Sequence, residues 1–443
     1  MAYNRANGHL ALWTMAVRRD GAARAHAEHR ADLHAARDLY AIAGANKGLD
    51  DAMRCQALVN LANSFDNCGR HADALVAYGQ ALAISPAFTM ALGNRGTTLL
   101  HRAALEDVHQ HALVSEAVAA LDAALADPDD VVAHGGPAAL AAFRAERARI
   151  PGTPTHVHDH DPLEDPYLEW CRRQRLFLHP SQRCITKNTQ VLDRLPLRGM
   201  TVGVNERSQQ RLKTLQDSLN SLLQDYLAVR YLAWSVLEPE TPLREHAAAV
   251  SAYASFYDSL TYARWGVGTG LRVLAVAAAT NLLDKTAGVA HQYARTAQQP
   301  SHAYFRRFGL LPAKKNQPDR MLPTVAAELD AGNRGLLALC DLAGELERHT
   351  PLNDLLARRH AATHRTVDVH HMLLEPDDEQ SPWLDRVETG ELADAPLDQL
   401  RRARAALVYL ADAINDRERR TAPDGPLITM PSWPAERERP DDW

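Results

Sequence analysis

The sequence has few cysteines, no excess of positive charge and no long uninterrupted apolar run. Only five of the 443 residues are cysteine, and none pairs at the short spacing that a zinc site needs. We therefore expect reduced thiols in a cytoplasmic protein. Because 49 Lys and Arg stand against 55 Asp and Glu, the formal net charge is −6. Any surface that attracts nucleic acid must then be local, since the chain as a whole produces no positive field.

A membrane span and a signal peptide are the next features that the sequence lacks. The most apolar window, residues 267–283, is interrupted by Gly268, Gly270, Arg272 and Asn281. The first residues, Met-Ala-Tyr-Asn-Arg, contain no basic segment followed by an apolar one. We therefore expect no membrane contact. The composition, 46% apolar and 23% charged, is that of a globular protein long enough for two or three domains.

Residues 55–100 contain the clearest periodic pattern in the chain. Large, small and aromatic residues and a proline follow the order of a tetratricopeptide repeat: Leu58, Leu61, Ala62, Phe65, Ala74, Tyr78, Ala81 and Pro86. Such a repeat is a pair of antiparallel helices, in which small residues allow close approach and proline ends the second helix. A second unit follows this repeat over residues 92–128. An alanine-rich helical pair precedes the repeat, over residues 22–45. We expect about three tetratricopeptide-like repeats in residues 1–150, with a surface for an unknown protein or peptide partner. Plain amphipathic helices are the alternative outside residues 55–86.

Residues 151–166 differ in composition from both of their neighbours. They contain Pro151, Pro154, Pro162 and Pro166, and because proline removes helical hydrogen-bond donors, this stretch is predicted to be a linker. Three histidines in it lie beside two aspartates and offer metal ligands: His156, His158 and His160. A proline-bounded segment has no fixed geometry to hold an ion, so we favour the linker and predict no metal site.

Long helices dominate the rest of the chain, residues 167–443. Apolar residues recur at steps of three and four over a helix of roughly residues 205–237: Leu212, Leu215, Leu219, Leu222, Tyr226, Val229, Ala233 and Val236. Further helical stretches are expected at residues 243–295, 322–349, 351–367 and 395–419. We find no strand-type alternation. The sequence therefore predicts an all-α protein in which a repeat region precedes a helical bundle.

An arginine and a histidine in the bundle region indicate a chemical function. Arg359 is followed after four intervening residues by His364. A guanidinium binds phosphate with two hydrogen bonds and an imidazole titrates near neutral pH, so the pair could cleave RNA without a metal. Arg365 and His370 repeat the spacing, which makes the bare pattern weak. Because positions five apart on a helix are separated by about 140°, the two side chains do not share a face. They converge through the length of the arginine, through a helix end near His364 or through a second copy of the helix, and a two-fold dimer axis is the simplest of these.

Four segments of this region resemble the HEPN superfamily, all-helical bundles that are widespread among prokaryotic defence and toxin genes. They are the Trp-Cys-Arg-Arg-Gln-Arg-Leu-Phe-Leu run at residues 170–178, the Asp284-Lys285 pair, the run at residues 359–364 and the late helix at residues 401–417. The resemblance covers about residues 165–443 and is to the branch in which a tetratricopeptide region precedes the bundle. The sequence departs from the pattern at His179, where asparagine is expected. His360 is less usual than asparagine at its position but is polar, as the family tends to be there.

The resemblance implies a metal-independent RNA endonuclease without a cofactor, acting in bacterial defence or a toxin-type stress response. Arg359 and His364 would be catalytic, while Arg358, His360 and Arg365 would contact the RNA substrate. The site would be completed across a homodimer formed by the bundle. The expected products carry 2′,3′-cyclic phosphate ends.

Two other functions fit the same residues. The first is a non-catalytic interaction protein, in which the repeats bind a partner and the bundle only dimerises or binds RNA. The second is a metal-dependent hydrolase that uses His360, His364 and Asp368, or His370 or His371. Three arginines interleave with these ligands and would repel a cation, so we favour the metal-free enzyme.

Overall fold

The computed structural model shows a helical protein, which confirms the predicted all-α class. It describes residues 2–105, 110–150, 163–179, 195, 197, 201–202, 206–257, 259, 262–296, 303–311, 319–347, 366–370, 384–420 and 428–429. Within these ranges there are fourteen α-helices and six short strands. Four of the five cysteines lie in the described part of the chain, and all four are buried free thiols: Cys55, Cys68, Cys171 and Cys340.

The N-terminal region consists of seven helices in which sequential neighbours pack together. They are α1 (Ala2–Asp20), α2 (Ala22–Ala45), α3 (Asp51–Asp66), α4 (His71–Ile84), α5 (Thr89–Ala103), α6 (Gln110–Leu125) and α7 (Pro128–Ala148). The small residues Ala62 and Ala74 are fully buried where α3 meets α4, and α4 ends shortly before Pro86. Gly96 permits the close contact of α5 with α6, because a Cβ there would lie 2.8 Å from the side chain of Leu121. These features agree with helical repeats, while their tetratricopeptide identity stays a prediction.

Seven further helices form the C-terminal region. They are α8 (Pro166–Arg173), α9 (Glu206–Leu237), α10 (Pro242–Ala254), α11 (Val267–Ala294), α12 (Pro323–Asp330), α13 (Arg334–Leu346) and α14 (Thr389–Arg420). The apolar side chains predicted to form a stripe on α9 are buried, including Leu215, Leu222 and Tyr226. They pack with α11, α13 and α14 into one core.

Helix α11 is the one described helix that is long and apolar enough to cross a membrane. More than half of its most apolar window is buried inside the protein. Its close packing against α9 and α14 accounts for this composition, because a helix at the centre of a bundle is apolar on most sides.

Short strands correct the prediction that strand patterns are absent. They are β1 (Thr201–Val202), β2 (Phe256–Tyr257), β3 (Ala263–Trp265), β4 (Thr366–His370), β5 (Leu384–Glu388) and β6 (Ile428–Thr429). Strands β2 to β5 form one sheet in sequence order, in which β4 pairs antiparallel with β3 and parallel with β5.

Three of the predicted helical stretches differ from the structure. Strands β2 and β3 divide the stretch at residues 243–295, where aromatic residues and the extended Gly266 favour sheet over helix. Strand β4 replaces the end of the stretch at residues 351–367, since Val367 and Val369 alternate with polar residues. The stretch at residues 322–349 is two helices, with Asn333 capping the second through the N–H of Leu336.

A buried ion cluster joins the N-terminal helices to the C-terminal region. Asp341 of α13 is fully buried and accepts hydrogen bonds from Arg37 at 2.6 Å and from Arg70 at 3.1 Å. His34 lies 3.2 Å from the same carboxylate. The guanidinium groups of Arg37 and Arg70 also lie over the ring of Phe65, at 4.3 and 4.6 Å from its centre. Charges as deeply buried as these are stable only when they are paired, so this interface holds both regions in a fixed arrangement.

Helix α14 makes a second polar contact with the N-terminal helices. Arg102 of α5 donates a hydrogen bond to Asp412 of α14, and both side chains are buried. The hydroxyl of Tyr409 donates to Asp73 at the start of α4, at 2.6 Å. Helix α14 therefore belongs to the bundle core and to the interface with the repeats.

Candidate functional site

The residues predicted to form the site lie outside the described part of the chain. This applies to Arg358, Arg359, His360, His364 and Arg365. The description of the chain resumes at the start of β4. For the alternative metal site, Asp368 and His370 belong to β4 and His370 is buried, while His371 lies outside the described residues. The structure therefore does not test the assignment of these site residues.

A cavity of about 340 Å³ lies next to β4, between α10, the hairpin of β2 and β3, and the first turns of α11 and α14. Its basic wall consists of Arg244, Arg264 and Arg272. Val369 of β4 also lines it. We call this cavity, with its three arginines, the arginine pocket.

The three arginines of the arginine pocket are not balanced by nearby acids. None of the residues that line the cavity is Asp or Glu, and no ion pair joins Arg244, Arg264 or Arg272 to a described carboxylate. Arg244 donates to the backbone carbonyl of Leu237 at 2.7 Å. Burial, together with the positive charges of Arg244 and Arg264, lowers the pKa of Arg272 from its usual value. An anion in the cavity would relieve this repulsion.

The N-terminus of α11 forms the other side of the pocket. The sequence Gly266-Val267-Gly268-Thr269-Gly270 starts this 28-residue helix, and no side chain caps it. A Cβ added to Gly268 or Gly270 would have no neighbour within 4 Å, so the backbone of the first turn faces open space. Free N–H groups and the positive end of the helix dipole attract phosphate groups. The helix start and the three arginines therefore all contribute positive charge to one cavity.

Exposed aromatic side chains surround the pocket. Phe256 and Tyr257 line it and are 71% and 54% exposed, and Tyr253 at the end of α10 is 94% exposed. Trp265 lines the cavity beside Arg264. Flat side chains next to arginines are the usual means of stacking unpaired bases while the cations hold the phosphates. The chemistry of this surface suits single-stranded nucleic acid better than a free inorganic ion.

The strand register connects this pocket to the predicted catalytic segment. Ala263 pairs with His370 and Arg264 with Val369, so β4 runs alongside the strand that carries one of the arginines. The first residue of β4, Thr366, comes directly after the predicted site residues in the sequence. The pocket and those residues therefore belong to neighbouring parts of the chain.

A second basic cleft lies between the repeats and the bundle. It has a volume of about 710 Å³ and contains Arg172, Arg173 and Arg175. Arg172 pairs with Glu169 at 2.6 Å and Arg173 lies 3.6 Å from Glu238. Because Arg172 and Arg173 already have acidic partners, the larger cleft is the weaker candidate for an anion.

Sequence reasoning did not identify the arginine pocket. In the sequence alone, Gly268, Gly270 and Arg272 are apparent only as interruptions of an apolar window. A local signal was present, since three glycines in alternate positions at a helix start, flanked by arginines, are typical of phosphate binding. Arg244 gives no such signal, because only the fold brings it to the cavity.

Comparison with known proteins finds one family. Residues 207–417 match the family model described as LA2681-like HEPN. The match runs from α9 into α14 and includes every residue that lines the arginine pocket. No curated protein matches the chain, and no solved structure matches it.

Proposed function

Because residues 207–417 are a HEPN domain of the LA2681-like family, we propose that this protein is a metal-independent RNA endonuclease. The observation that carries the proposal is the arginine pocket, where three cations with no acidic partner among the described residues share one cavity with an open helix N-terminus. In the proposed complex the pocket holds phosphates of the RNA strand. The exposed aromatic side chains around it stack against the bases.

The proposed catalytic pair is Arg359 and His364. His364 precedes Thr366 by two residues, and two residues span at most about 7 Å of extended chain, which supports a site close to β4. His364 takes the proton of a ribose 2′-hydroxyl, whose oxygen then bonds to the adjacent phosphorus. The bond from phosphorus to the 5′-oxygen breaks, and a protonated imidazole gives the leaving oxygen its proton. Arg359 binds the phosphate oxygens as negative charge develops on them.

The proposed enzyme also has further RNA contacts, a second copy of itself and a binding partner for its repeats. Arg358, His360 and Arg365 contact the RNA, and a homodimer formed through the bundle brings two copies of the catalytic pair into one groove. The repeats bind a protein or peptide that acts as a trigger. Such an enzyme fits a bacterial defence or toxin-type stress response.

The decisive experiment incubates the untagged full-length protein with mixed cellular RNA and maps the new ends. We expect 2′,3′-cyclic phosphate and 5′-hydroxyl ends, the same extent of cleavage with chelator present, and no cleavage of a 2′-deoxy strand. Cleavage that stops in chelator would favour the metal-dependent hydrolase instead. Binding of RNA without any cleavage would favour the non-catalytic interaction protein.

The arginine pocket itself can be tested through RNA affinity. We expect Arg264→Gln and Arg272→Gln each to weaken binding of single-stranded RNA roughly tenfold, because each removes a charged hydrogen bond to phosphate. The slope of log K against log salt should fall by about 0.7 for each contact that is lost. Fluorescence anisotropy over a range of salt concentrations measures both quantities.

The matched control for these variants is Arg24→Gln. Arg24 is an exposed arginine of α2 that pairs with Glu28, so its loss changes the net charge equally at a distant surface. All three variants should unfold at the wild-type temperature, since none loses a buried ion pair. Equal affinity of the pocket variants and the control would rule out this pocket as the RNA-binding surface.

A further inference from the structure

Three potential metal ligands come together at the ends of successive N-terminal helices. Asp66 is the last residue of α3, His71 is the first residue of α4 and His101 lies near the end of α5. One ligand atom from each residue can be chosen so that all three atoms lie within 4.8 Å of one another. The carboxylate of Asp66 is 3.7 Å from Nε2 of His71 and 3.5 Å from Nδ1 of His101. These distances are too long for good hydrogen bonds.

The polar atoms of this cluster lack hydrogen-bond partners although they are buried. His71 is 1% exposed, and neither of its ring nitrogens bonds to any described residue. The same is true of Oδ1 of Asp66 and Nδ1 of His101. An unsatisfied buried polar atom costs about 1 to 3 kcal/mol, so a cluster of four such atoms requires an explanation.

The chemical types of the three side chains are those that coordinate metals. Two imidazoles and one carboxylate lie together here, and neutral imidazole and ionised carboxylate are common metal ligands.

We propose that Asp66, His71 and His101 bind one divalent transition-metal ion, and that the ion connects α3, α4 and α5. Two imidazoles and one carboxylate suit zinc, cobalt or nickel better than calcium or magnesium, which prefer oxygen ligands. In a tetrahedral zinc site, neighbouring ligand atoms are about 3.3 Å apart. The two distances to the Asp66 carboxylate are 3.7 and 3.5 Å and all three ligand atoms lie within 4.8 Å of one another, so the side chains would have to close around the ion. Water would occupy the fourth position.

Two arginines oppose the binding of a cation here. Arg334 of α13 donates to the backbone carbonyl of Asp66 at 3.0 Å, and both Arg334 and Arg102 contribute positive charge at His71. Their charges weaken the affinity for metal without removing a ligand, because Arg334 bonds to the main chain of Asp66 and leaves Oδ1 of its carboxylate unpaired. The proposed site is therefore weaker than a metal site without neighbouring cations.

The proposed ion would also strengthen the contact between the repeats and the bundle. The turn between α3 and α4 contains Gly69, whose φ is +76°, and a Cβ there would lie 2.4 Å from the carbonyl oxygen of Arg334. The turn therefore packs directly against the start of α13. An ion that holds both ends of this turn would fix the surface that contacts the HEPN domain.

The test uses the untagged full-length protein, because a histidine tag would bind metal itself. After dialysis against zinc, elemental analysis should find one equivalent of zinc that is absent from His71→Leu. Zinc should raise the Tm of the wild type and leave that of His71→Leu unchanged. Leucine fills the buried volume and needs no hydrogen-bond partner, so the variant should fold as well as metal-free wild type. Cobalt should give the visible absorption of a tetrahedral site only in the wild type.

Two matched variants separate this site from the other histidines, since the whole chain has 21 histidines including His71 and His101. His26→Leu removes a buried histidine of α2 with an unpaired Nδ1, and His158→Ala removes one from the proline-rich stretch. Both should keep the full equivalent of zinc. Retention of zinc by His71→Leu, or no zinc in the wild type, would refute the proposal.

The direction in which Arg334→Gln changes the affinity for zinc distinguishes a metal site from a purely structural cluster. Arg334→Gln removes a repelling charge, so it should increase the affinity for zinc even though it weakens the interface. An unchanged or lower affinity would contradict the proposed role of this arginine and, with it, the site. Metal-depleted protein should still cleave RNA at 25 °C, which keeps this test separate from that of the nuclease.

Discussion

Replacement of His364 by alanine is expected to reduce RNA cleavage by a factor on the order of 10² to 10⁴, the contribution of a general acid or base. The variant should still bind RNA, because the arginine pocket is unchanged. It should also keep the wild-type helicity and oligomeric state. Single-turnover cleavage of a short labelled RNA, with the affinity measured in parallel, separates the loss of chemistry from a loss of binding.

Arg359→Ala should lower the same rate constant by a factor on the order of 10² to 10³, because one charge-stabilising donor is lost. Arg359→Lys should recover only part of the activity, since an ammonium group cannot form the two parallel hydrogen bonds of a guanidinium. Arg365→Ala is the milder comparison, because we assign it a substrate contact rather than a step in the chemistry. Cleavage by His364→Ala at close to the wild-type rate would exclude the proposed mechanism.

Asp341→Ala is expected to lower the free energy of unfolding by about 3 to 5 kcal/mol, as breaking a buried ion pair does. Arg37 and Arg70 would lose the fully buried carboxylate that they share and keep the more exposed Glu345, with Asp73 also beside Arg70. Burial opposes ionisation of this carboxyl, but the charges of Arg37, His34 and Arg70 hold its pKa well below the usual range. The lost interaction is therefore fully present at neutral pH. Urea unfolding followed by circular dichroism measures the change.

A surface ion pair provides the control for this variant. Asp122 pairs with Arg147 at 2.6 Å, but its side chain is 44% exposed, so Asp122→Ala should cost less than about 1 kcal/mol. Equal effects of the two substitutions would show that the interface is open to water in solution. The sequence alone predicts that a fragment beginning near Leu163 folds by itself and keeps the dimer. Such a fragment lacks the residues that bond to Asp341, namely His34, Arg37 and Arg70, so from the structure we expect it to be less stable than the full chain.

Local periodicity explains which parts of the fold were predictable from the sequence. The stripe on α9, including Leu215 and Leu222, depends only on spacing within one helix, and the buried Ala62 and Ala74 only on the pattern of one helical pair. Strand β4 was missed because the expected helix at residues 351–367 overlaps its first two residues and no strand was predicted after it. Its alternating Val367 and Val369 were the available signal.

The functional sites were less predictable because they combine distant parts of the chain. The arginine pocket brings Arg244 of α10 together with Arg264 of β3 and Arg272 of α11, and no spacing rule covers that set. The metal-binding cluster likewise needs His101, which is distant in sequence from Asp66 and His71. Arg359 and His364 were chosen through a family resemblance, and their catalytic role stays a prediction.

Helix α14 joins the arginine pocket to the N-terminal helices. It is 32 residues long, and Pro396 lies inside it. Thr389 and Leu392 near its start line the arginine pocket, whereas Tyr409 and Asp412 in its second half are bonded to the N-terminal helices. The pocket and the interface thus share one helix, and a substitution that displaces α14 at the interface is expected to alter RNA affinity as well as stability.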